Sequence, residues 1–162
     1  VLPHAALTGV YQVHGNRCVI VDETTDLAAR PEADALATRT SGIVLGILTA
    51  DCVPVLFADR DAGVVGAAHA GWKGALAGVT DATLTAMERL GADRFFAAAK
   101  PGHAMFDIAA YVAARLAVAG IARIAIGGQD TYAEAEDYFS YRRACHKGEN
   151  SYGRQLSVIG LN

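Results

Sequence analysis

The order of apolar and polar positions along the chain predicts strands in its first half and helices after them. Three short, mostly apolar runs rich in valine and isoleucine occupy residues 43–48, 53–58 and 64–69, and each has the length of a buried strand. Apolar residues at helical spacing follow at residues 75–90 and 107–119. The pattern therefore predicts at least three strands that are followed by two helices.

Weaker patterns lie around these elements. The β-branched segments 10–14 and 17–21 flank a Gly-Asn turn dipeptide at residues 15–16, which predicts a β-hairpin. Residues 122–126 predict a further strand. The short segment 34–38, which alternates between polar and apolar residues, is a candidate to lie near a functional site.

Composition limits the classes of protein that need to be considered. The chain has 162 residues, of which 52% are hydrophobic and 19% are charged, and we expect one folded domain over residues 1–162. Strands mixed with helices favour an α+β fold with a mixed sheet over continuous βαβ winding.

The net charge is −3 and no long basic run occurs, so no nucleic-acid partner is predicted. The longest apolar stretches, 42–48 and 63–70, are shorter than the roughly 20 residues of a membrane span, so no membrane partner is predicted either.

The cysteines indicate a cellular compartment. Cys18, Cys52 and Cys145 are an odd number, and none belongs to a CxxC motif. The first residues show no signal-peptide pattern. We therefore expect unpaired thiols in a reducing compartment, with the cytoplasm as the default.

Two histidines and one cysteine are the strongest candidates for chemistry. His14 follows a strand-like run, Cys52 precedes a Val-Pro strand start, and His69 ends an apolar strand. Two imidazoles and one thiolate suit zinc, and three protein ligands leave a fourth position open, as in catalytic zinc sites. Spacing alone does not decide this. A surface histidine, an inert buried thiol and a hydrogen-bonded core histidine would explain the same residues one by one.

The motifs around these residues make the prediction more specific. They are Gln12-Val13-His14-Gly15, Ala33-Asp34-Ala35-Leu36, Thr49-Ala50-Asp51-Cys52-Val53-Pro54-Val55, Ala68-His69-Ala70-Gly71-Trp72-Lys73-Gly74, Asp130-Thr131-Tyr132 and Phe139-Ser140-Tyr141-Arg142-Arg143. In sequence and order the chain resembles the multicopper polyphenol oxidase or laccase-domain family, which is also called the purine nucleoside phosphorylase or peptidoglycan editing factor family. The resemblance spans most of the chain.

The resemblance implies a metal site and a fold. It implies that His14, Cys52 and His69 bind zinc. It also implies a mixed-sheet α-β-β-α layered sandwich, similar to the catalytic fold of deamidating toxins. The chain departs from the family at one place, because the family carries a strand and a glycine-containing loop between residues 93 and 94. We expect that a segment is missing from the sequence at this point.

Four polar residues are candidates for anion binding or proton transfer beside the metal. Lys73 precedes a predicted helix and is a candidate to bind an anion. Arg142 and Arg143 are candidates to hold phosphate in bidentate fashion, and in extended backbone only one of the two would face the site. Asp51 is a candidate general acid or base, with structural capping as the equal alternative. Each arginine or lysine is also explained by an ordinary solvated surface charge.

The activities credited to the family can be ranked by chemistry. Multicopper oxidation needs more histidine ligands than the five in this chain provide, although a single His₂Cys site also suits copper. We expect a zinc-dependent purine nucleoside enzyme that carries out phosphorolysis of adenosine- or inosine-type nucleosides, and adenosine deamination by zinc-activated water. Its partners would be nucleoside and phosphate, and the number of subunits stays open.

Three alternatives remain on the sequence alone. Cys52 with a histidine as base would form a nucleophilic hydrolase that needs no metal. A copper-dependent phenol oxidase is the second. The third is a non-enzymatic regulator of peptidoglycan precursor composition with a structural zinc. Metal analysis followed by activity measurements after chelation separates them.

Overall fold

The computed structural model describes residues 4–59, 62–90 and 108–161, which form two β-sheets and four helices. The strands are β1 (Ala6–Gly9), β2 (Cys18–Ile20), β3 (Ala35–Thr38), β4 (Ile43–Thr49), β5 (Val53–Asp59), β6 (Val64–Ala70) and β7 (Gln155–Gly160). The helices are α1 (Trp72–Ala77), α2 (Val79–Arg89), α3 (Ile108–Val118) and α4 (Tyr141–Lys147). The strands predicted at residues 43–48, 53–58 and 64–69 are confirmed to within one residue at either end.

The two sheets are both mixed. The first has the strand order β1-β4-β7, with β1 parallel and β7 antiparallel to the central strand β4. The second has the order β2-β3-β6-β5, with β2 parallel to β3 and the remaining pairs antiparallel. The predicted α+β class with mixed sheets is therefore confirmed.

Alternation along β6 separates two hydrophobic cores, because successive side chains of a strand point to opposite faces. Val65 and Ala67 pack with Leu45 and Ile47 of the first sheet. Val64, Ala68 and Ala70 belong to the core on the other face, together with buried residues of α1, α2 and α3. The second sheet thus lies between the first sheet and a helical layer.

Gly66 allows helix α2 to lie close to the middle of β6. A Cβ at this position would lie 2.9 Å from both the Met87 sulfur and a methyl carbon of Thr83. Thr83 and Met87 are both buried on the inner side of α2. A side chain at residue 66 would therefore push the helix away from the sheet that carries the site.

The predicted four-layer arrangement is seen only in part. Among the described residues, α1, α2 and α3 cover one face of the second sheet. Leu7 and Leu156 on the first sheet are about half exposed. A second helical layer, as in the toxin-like sandwich, stays a prediction. None of the helices in the described part of the chain has the length and apolar character needed to cross a membrane.

The predicted hairpin over residues 10–21 is wrong. Strands β1 and β2 belong to different sheets, and each pairs in parallel with a later strand. Residues 12–17 form an irregular segment instead, in which the Gln12 side chain exchanges hydrogen bonds of 2.6 and 2.9 Å with the backbone of Leu48. The β-branched residues identified β2, but residues 10–14 form no strand, and the pattern contained no information about the partner strand.

Two further predictions need correction. The helix predicted at residues 75–90 begins earlier and is divided into α1 and α2 by Gly78, which has a left-handed φ of 88°. Residues 122–126 form no strand and are mostly exposed. The second predicted helix is confirmed as α3, although residue 107 and the junction at residues 93–94 lie outside the described part of the chain.

Candidate metal centre

His69 lies near the end of β6, and Asp34 immediately precedes β3 on the neighbouring strand. The backbone N–H of His69 donates to the Asp34 carbonyl at 2.7 Å, which continues the ladder between the two strands. Their side chains also meet, with 2.7 Å between the His69 Nδ1 and an Asp34 carboxylate oxygen. Asp34 is fully buried and His69 is 3% exposed. The sheet thus fixes a buried carboxylate–imidazole pair.

The turn that carries His14 is held by the same carboxylate. The backbone N–H groups of Val13, His14 and Gly15 donate to Asp34 at 3.2, 3.0 and 2.7 Å. His14 has a φ of 61°, a left-handed conformation that non-glycine residues adopt infrequently. The imidazole of His14 consequently lies beside that of His69, with ring centroids 4.7 Å apart in an edge-to-face arrangement.

Cys52 completes the cluster from the turn before β5. Its sulfur lies 3.9 Å from the His14 Nε2. One ligand atom each from His14, Cys52 and His69 lies within 4.8 Å of the others. Zinc bonds of about 2.0–2.3 Å in tetrahedral geometry place ligand atoms roughly 3.5 Å apart, so a small contraction brings this donor set around one ion. The residues fit the metal that the sequence predicted.

Two glycines after β6 keep the cluster compact. A Cβ on Gly71 would lie 2.8 Å from a ring carbon of His14 and 3.1 Å from the Cys52 sulfur. A Cβ on Gly74 would lie 2.6 Å from the carbonyl oxygen of Gly15. The glycine positions of the Gly-Trp-Lys-Gly motif are therefore required for the close approach of the His14 turn to α1.

Burial shifts the pKa values of two of these groups. It raises the pKa of the Cys52 thiol to about 11, and the nearby carboxylates of Asp51 and Asp34 act in the same direction. Burial also lowers the pKa of His69, although the hydrogen bond and the charge of Asp34 oppose this. A neutral imidazole is the form that binds a metal, whereas the thiol needs a nearby cation to lose its proton easily.

Asp51 precedes Cys52 and connects it to the C-terminal part of the chain. One carboxylate oxygen accepts from the Thr131 hydroxyl at 2.8 Å, and the other accepts from the Ser140 hydroxyl and the Arg142 N–H at 2.9 and 2.8 Å. Burial alone would raise the pKa of Asp51, but these hydrogen bonds outweigh it and the pKa is lowered. This geometry corresponds to the structural capping role that the sequence left open.

The two adjacent arginines lie on a helix rather than on extended backbone, which corrects that expectation. Ser140 caps α4 by accepting from the Arg143 N–H at 3.1 Å. The Arg143 guanidinium donates to the carbonyl oxygens of Thr131, Tyr132 and Tyr138. The side chain of Arg142 is exposed.

Lys73 is exposed in the first turn of α1. Its ammonium lies 5.6 Å from the centre of the Trp72 ring, within the range of a cation–π contact. Lys73 lies two residues after Gly71, where an added Cβ would meet two members of the cluster.

A cavity of about 1170 Å³ opens beside the thiol. Polar residues line the end near Cys52, among them Asp51, Thr131 and Gln155. Apolar residues of β5, α2 and α3 also line it, together with residues 121–129 and the charged side chains of Glu88 and Arg123. Neither His14 nor His69 lines this cavity, so Cys52 is the member of the cluster that faces it.

The sequence predicted that segment 34–38 lies near a functional site, which Asp34 confirms, but it assigned no role to Asp34, which contacts both histidine-bearing segments. It occurs in the motif Ala33-Asp34-Ala35-Leu36, and an acidic residue between alanines at the start of a buried strand was the available signal. Ser140 was also missed, although a serine before the helix and a glycine at residue 148 after it are typical capping signals.

Comparison with known proteins identifies related sequences. The model of the family described as multi-copper polyphenol oxidoreductase laccase matches residues 1–101 and 91–162. A Rickettsia conorii protein named purine nucleoside phosphorylase is 33% identical over 182 aligned residues, which cover 91% of this chain and 75% of the relative. A Deinococcus radiodurans protein of the same name is 36% identical, over 80% of this chain and 62% of the relative.

Solved structures resemble the fold as well. The Bacillus licheniformis hypothetical protein YfiH has a TM-score of 0.75 at 26% identity, over 96% of this chain and 74% of that one. YlmD from Geobacillus stearothermophilus has a TM-score of 0.74 at 25% identity, over 99% of this chain and 75% of that one. This chain therefore spans about 60% to three quarters of the length of these relatives.

Proposed function

The chain belongs to the multi-copper polyphenol oxidoreductase laccase family, and on that premise we propose that it is a zinc-dependent purine nucleoside enzyme. The proposed reactions are phosphorolysis of adenosine- or inosine-type nucleosides and deamination of adenosine. The name shared by the Rickettsia and Deinococcus relatives supports the first reaction. The second rests on the metal chemistry alone.

The observation that carries the proposal is the convergence of His14, Cys52 and His69. Their ligand atoms lie within 4.8 Å of one another although the residues are far apart in sequence. Two neutral imidazoles and one thiolate would leave a zinc ion with a net charge near +1 and an open coordination position, which is the pattern of catalytic sites. When bound, zinc supplies a Lewis acid that lowers the pKa of a water ligand to about 7.

The residues around the cluster each have a proposed task. Asp34 holds a proton on the Nδ1 of His69, which leaves the other ring nitrogen free to bind metal. Asp51 holds the backbone next to Cys52 in place through the C-terminal segment. With three hydrogen bonds already accepted and its pKa lowered, Asp51 is a weaker candidate for a general base than the sequence suggested.

Phosphate binding is proposed for the exposed cations. Arg142 is exposed and its backbone N–H is tied to Asp51, one residue from Cys52. Lys73 lies two residues after Gly71, where an added Cβ would meet both His14 and Cys52. The guanidinium of Arg143 already donates to three carbonyl groups, and therefore Arg142 is the better candidate of the pair to hold phosphate.

The runner-up is a metal-free hydrolase with Cys52 as nucleophile. A nucleophilic cysteine needs a lowered pKa, usually from a cation or a paired histidine. Here burial and two carboxylates raise the pKa of Cys52 to about 11. This favours the metal-dependent reading, in which the cation itself stabilises the thiolate. A copper-dependent phenol oxidase remains chemically compatible with two histidines and a cysteine, and so does a non-enzymatic regulator with bound zinc.

The test is metal analysis joined to an activity assay. Purified protein is expected to contain about one zinc per chain and to form ribose 1-phosphate from inosine and phosphate. Removal of the metal with a chelator should abolish turnover, and zinc should restore it. Activity that survives in metal-free protein but is blocked by a thiol reagent would instead support the hydrolase. A cytoplasmic location, with nucleoside and phosphate as partners, belongs to the same proposal.

A further inference from the structure

Asp34 is a fully buried carboxylate that touches the segments carrying both histidines. We propose that it is the positioning residue that assembles His14 and His69 into one half of the metal site. The inference rests on the metal site proposed above and extends it to a residue that binds no metal itself.

Asp34 accepts hydrogen bonds from four N–H groups. One oxygen accepts from the His14 backbone and from the His69 ring, at 3.0 and 2.7 Å. The other accepts from the backbone of Gly15 and Val13, at 2.7 and 3.2 Å. A carboxylate offers an acceptor at both of its ends, whereas a carboxamide offers an acceptor at one end and a donor at the other. The site thus requires a carboxylate here, not merely a polar group of similar shape.

The bond to His69 determines which ring nitrogen is available. An acceptor at Nδ1 keeps the proton there, so the unshared electron pair lies on Nε2. Nδ1 faces Asp34, and Nε2 is therefore the nitrogen that His69 offers to the ion. Without the carboxylate the imidazole is free to adopt the tautomer that carries its proton on Nε2, which cannot bind the ion through that nitrogen.

The bonds to the turn determine where His14 lies. Its backbone has a φ of 61°, a conformation that needs support from the surrounding structure in residues other than glycine. Three consecutive N–H groups directed at one carboxylate supply this support. The same charge therefore fixes the turn of one ligand and the tautomer of the other.

Asparagine at residue 34 cannot serve both histidines. If its carbonyl oxygen faces His69 and His14, its NH₂ group meets the N–H groups of Val13 and Gly15, and the turn is released. If the amide is flipped, its NH₂ group faces the His69 Nδ1 and favours the wrong tautomer. Either orientation disrupts one ligand, although the side chains have nearly the same volume.

The experiment compares Asp34→Asn with Asp22→Asn, a matched change at a partly exposed carboxylate that accepts hydrogen bonds from Thr24 and Thr25 away from the cluster. Zinc affinity is measured by competition with a chromophoric chelator, and cobalt(II) spectra report the thiolate bond. We expect Asp34→Asn to bind zinc about 10- to 100-fold more weakly, with an altered cobalt spectrum, and Asp22→Asn to match the wild type. Equal affinities and spectra in all three proteins would overturn the inference and leave the metal site standing. A wild-type protein that binds neither ion would overturn both.

A second measurement does not depend on how well the variant folds. Long-range ¹H–¹⁵N spectra of the metal-free wild-type protein report the tautomer of each histidine. We expect His69 to carry its proton on Nδ1 at neutral pH. A spectrum that places the proton on Nε2 would contradict the positioning role.

Discussion

The two carboxylates beside the candidate metal centre fix their ligands in different ways. Asp34 is fully buried, and its partners lie 19 to 35 residues away within neighbouring segments. Asp51 is partly exposed, and its partners Thr131, Ser140 and Arg142 lie 80 to 91 residues away. The histidine half of the site is thus held by a buried carboxylate at the edge of β3, whereas the thiolate half depends on the C-terminal segment.

This difference has a functional meaning. In the histidine half, His69 lies on β6, and the buried Asp34 before β3 holds the irregular segment that carries His14. The Cys52 half faces the cavity of about 1170 Å³ and is held by a segment that also carries Arg142. Under the proposed function, a substrate that contacts this segment would shift the position of Cys52. The positions of His14 and His69 would stay the same.

The largest expected effect comes from removing the thiolate. Cys52→Ser should lower zinc affinity at least about 100-fold and abolish turnover, while the melting temperature of the metal-free protein changes little. A serine hydroxyl is a poor zinc ligand, and a catalytic metal is not the main source of stability of a domain with two hydrophobic cores. Cys145→Ser, at an exposed cysteine, is the matched control and should keep both metal and activity. Normal zinc content in Cys52→Ser would remove the thiolate from the site.

A slightly smaller loss of zinc affinity is expected from a substitution that separates the histidine half of the site from the thiolate half. Gly71→Ala would place a Cβ 2.8 Å from His14 and 3.1 Å from Cys52, so the ligands have to separate. Zinc affinity should fall about 10- to 100-fold, in the range of changes to residues that support metal ligands. Gly15→Ala is the control, because its Cβ would meet its neighbours at an ordinary 3.6 Å or more. Equal affinities in the two variants would mean that the halves are not in close contact.

Asp51→Asn tests the thiolate half alone. Asparagine tolerates the left-handed backbone of residue 51, whose φ is 74°, but it cannot accept from all three partners. Loss of these hydrogen bonds should cost about 1–2 kcal/mol in the free energy of unfolding and lower zinc affinity about tenfold. Urea unfolding and chelator competition measure the two effects, with exposed Asp137→Asn as control. An unchanged zinc affinity would show that the C-terminal segment does not position Cys52.

The two adjacent arginines should have different roles, with Arg142 binding phosphate and Arg143 stabilising the fold. Arg142→Ala is expected to raise the KM for phosphate several-fold with little change in stability, because the side chain is exposed. Arg143→Ala should instead lower stability by about 1–3 kcal/mol, because it leaves three carbonyl groups without their donor. Kinetics at varied phosphate and urea unfolding distinguish the two. The reverse pattern would return the phosphate role to Arg143.

The smallest expected effect is a pH dependence of the metal-free protein. The pKa of folded His69 is lowered from 6.5, mainly by burial, so near that pH the unfolded chain binds more protons than the folded one. Stability should therefore fall from pH 7.5 to pH 5.5. Asp51 adds nothing in this window, because its pKa is lowered from 3.8 and its contribution is lost only at more acidic pH. His69→Gln should show a weaker dependence in urea unfolding, and an equal slope would contradict the assignment.

The sequence was sufficient for the parts that depend on local pattern. Strands β4, β5 and β6 were predicted because their apolar runs are continuous. The three proposed metal ligands were found through motifs and a family resemblance rather than through spacing.

The parts that depend on distant partners could not be predicted. The β-branched residues over 10–21 carry no information about which strand they pair with. The roles of Asp34 and Asp51 depend on hydrogen bonds to segments up to 91 residues away. The helix at Arg142 and Arg143 was missed although its capping residues were present, because the extended pattern was assumed instead.

The central claim is that one metal ion is shared by His14, Cys52 and His69. X-ray absorption at the zinc edge of the purified wild-type protein tests it most directly. We predict one sulfur at about 2.3 Å and two imidazole nitrogens at about 2.0 Å, with a light atom in the remaining position. A spectrum that contains only nitrogen and oxygen neighbours, with no sulfur, would contradict the account.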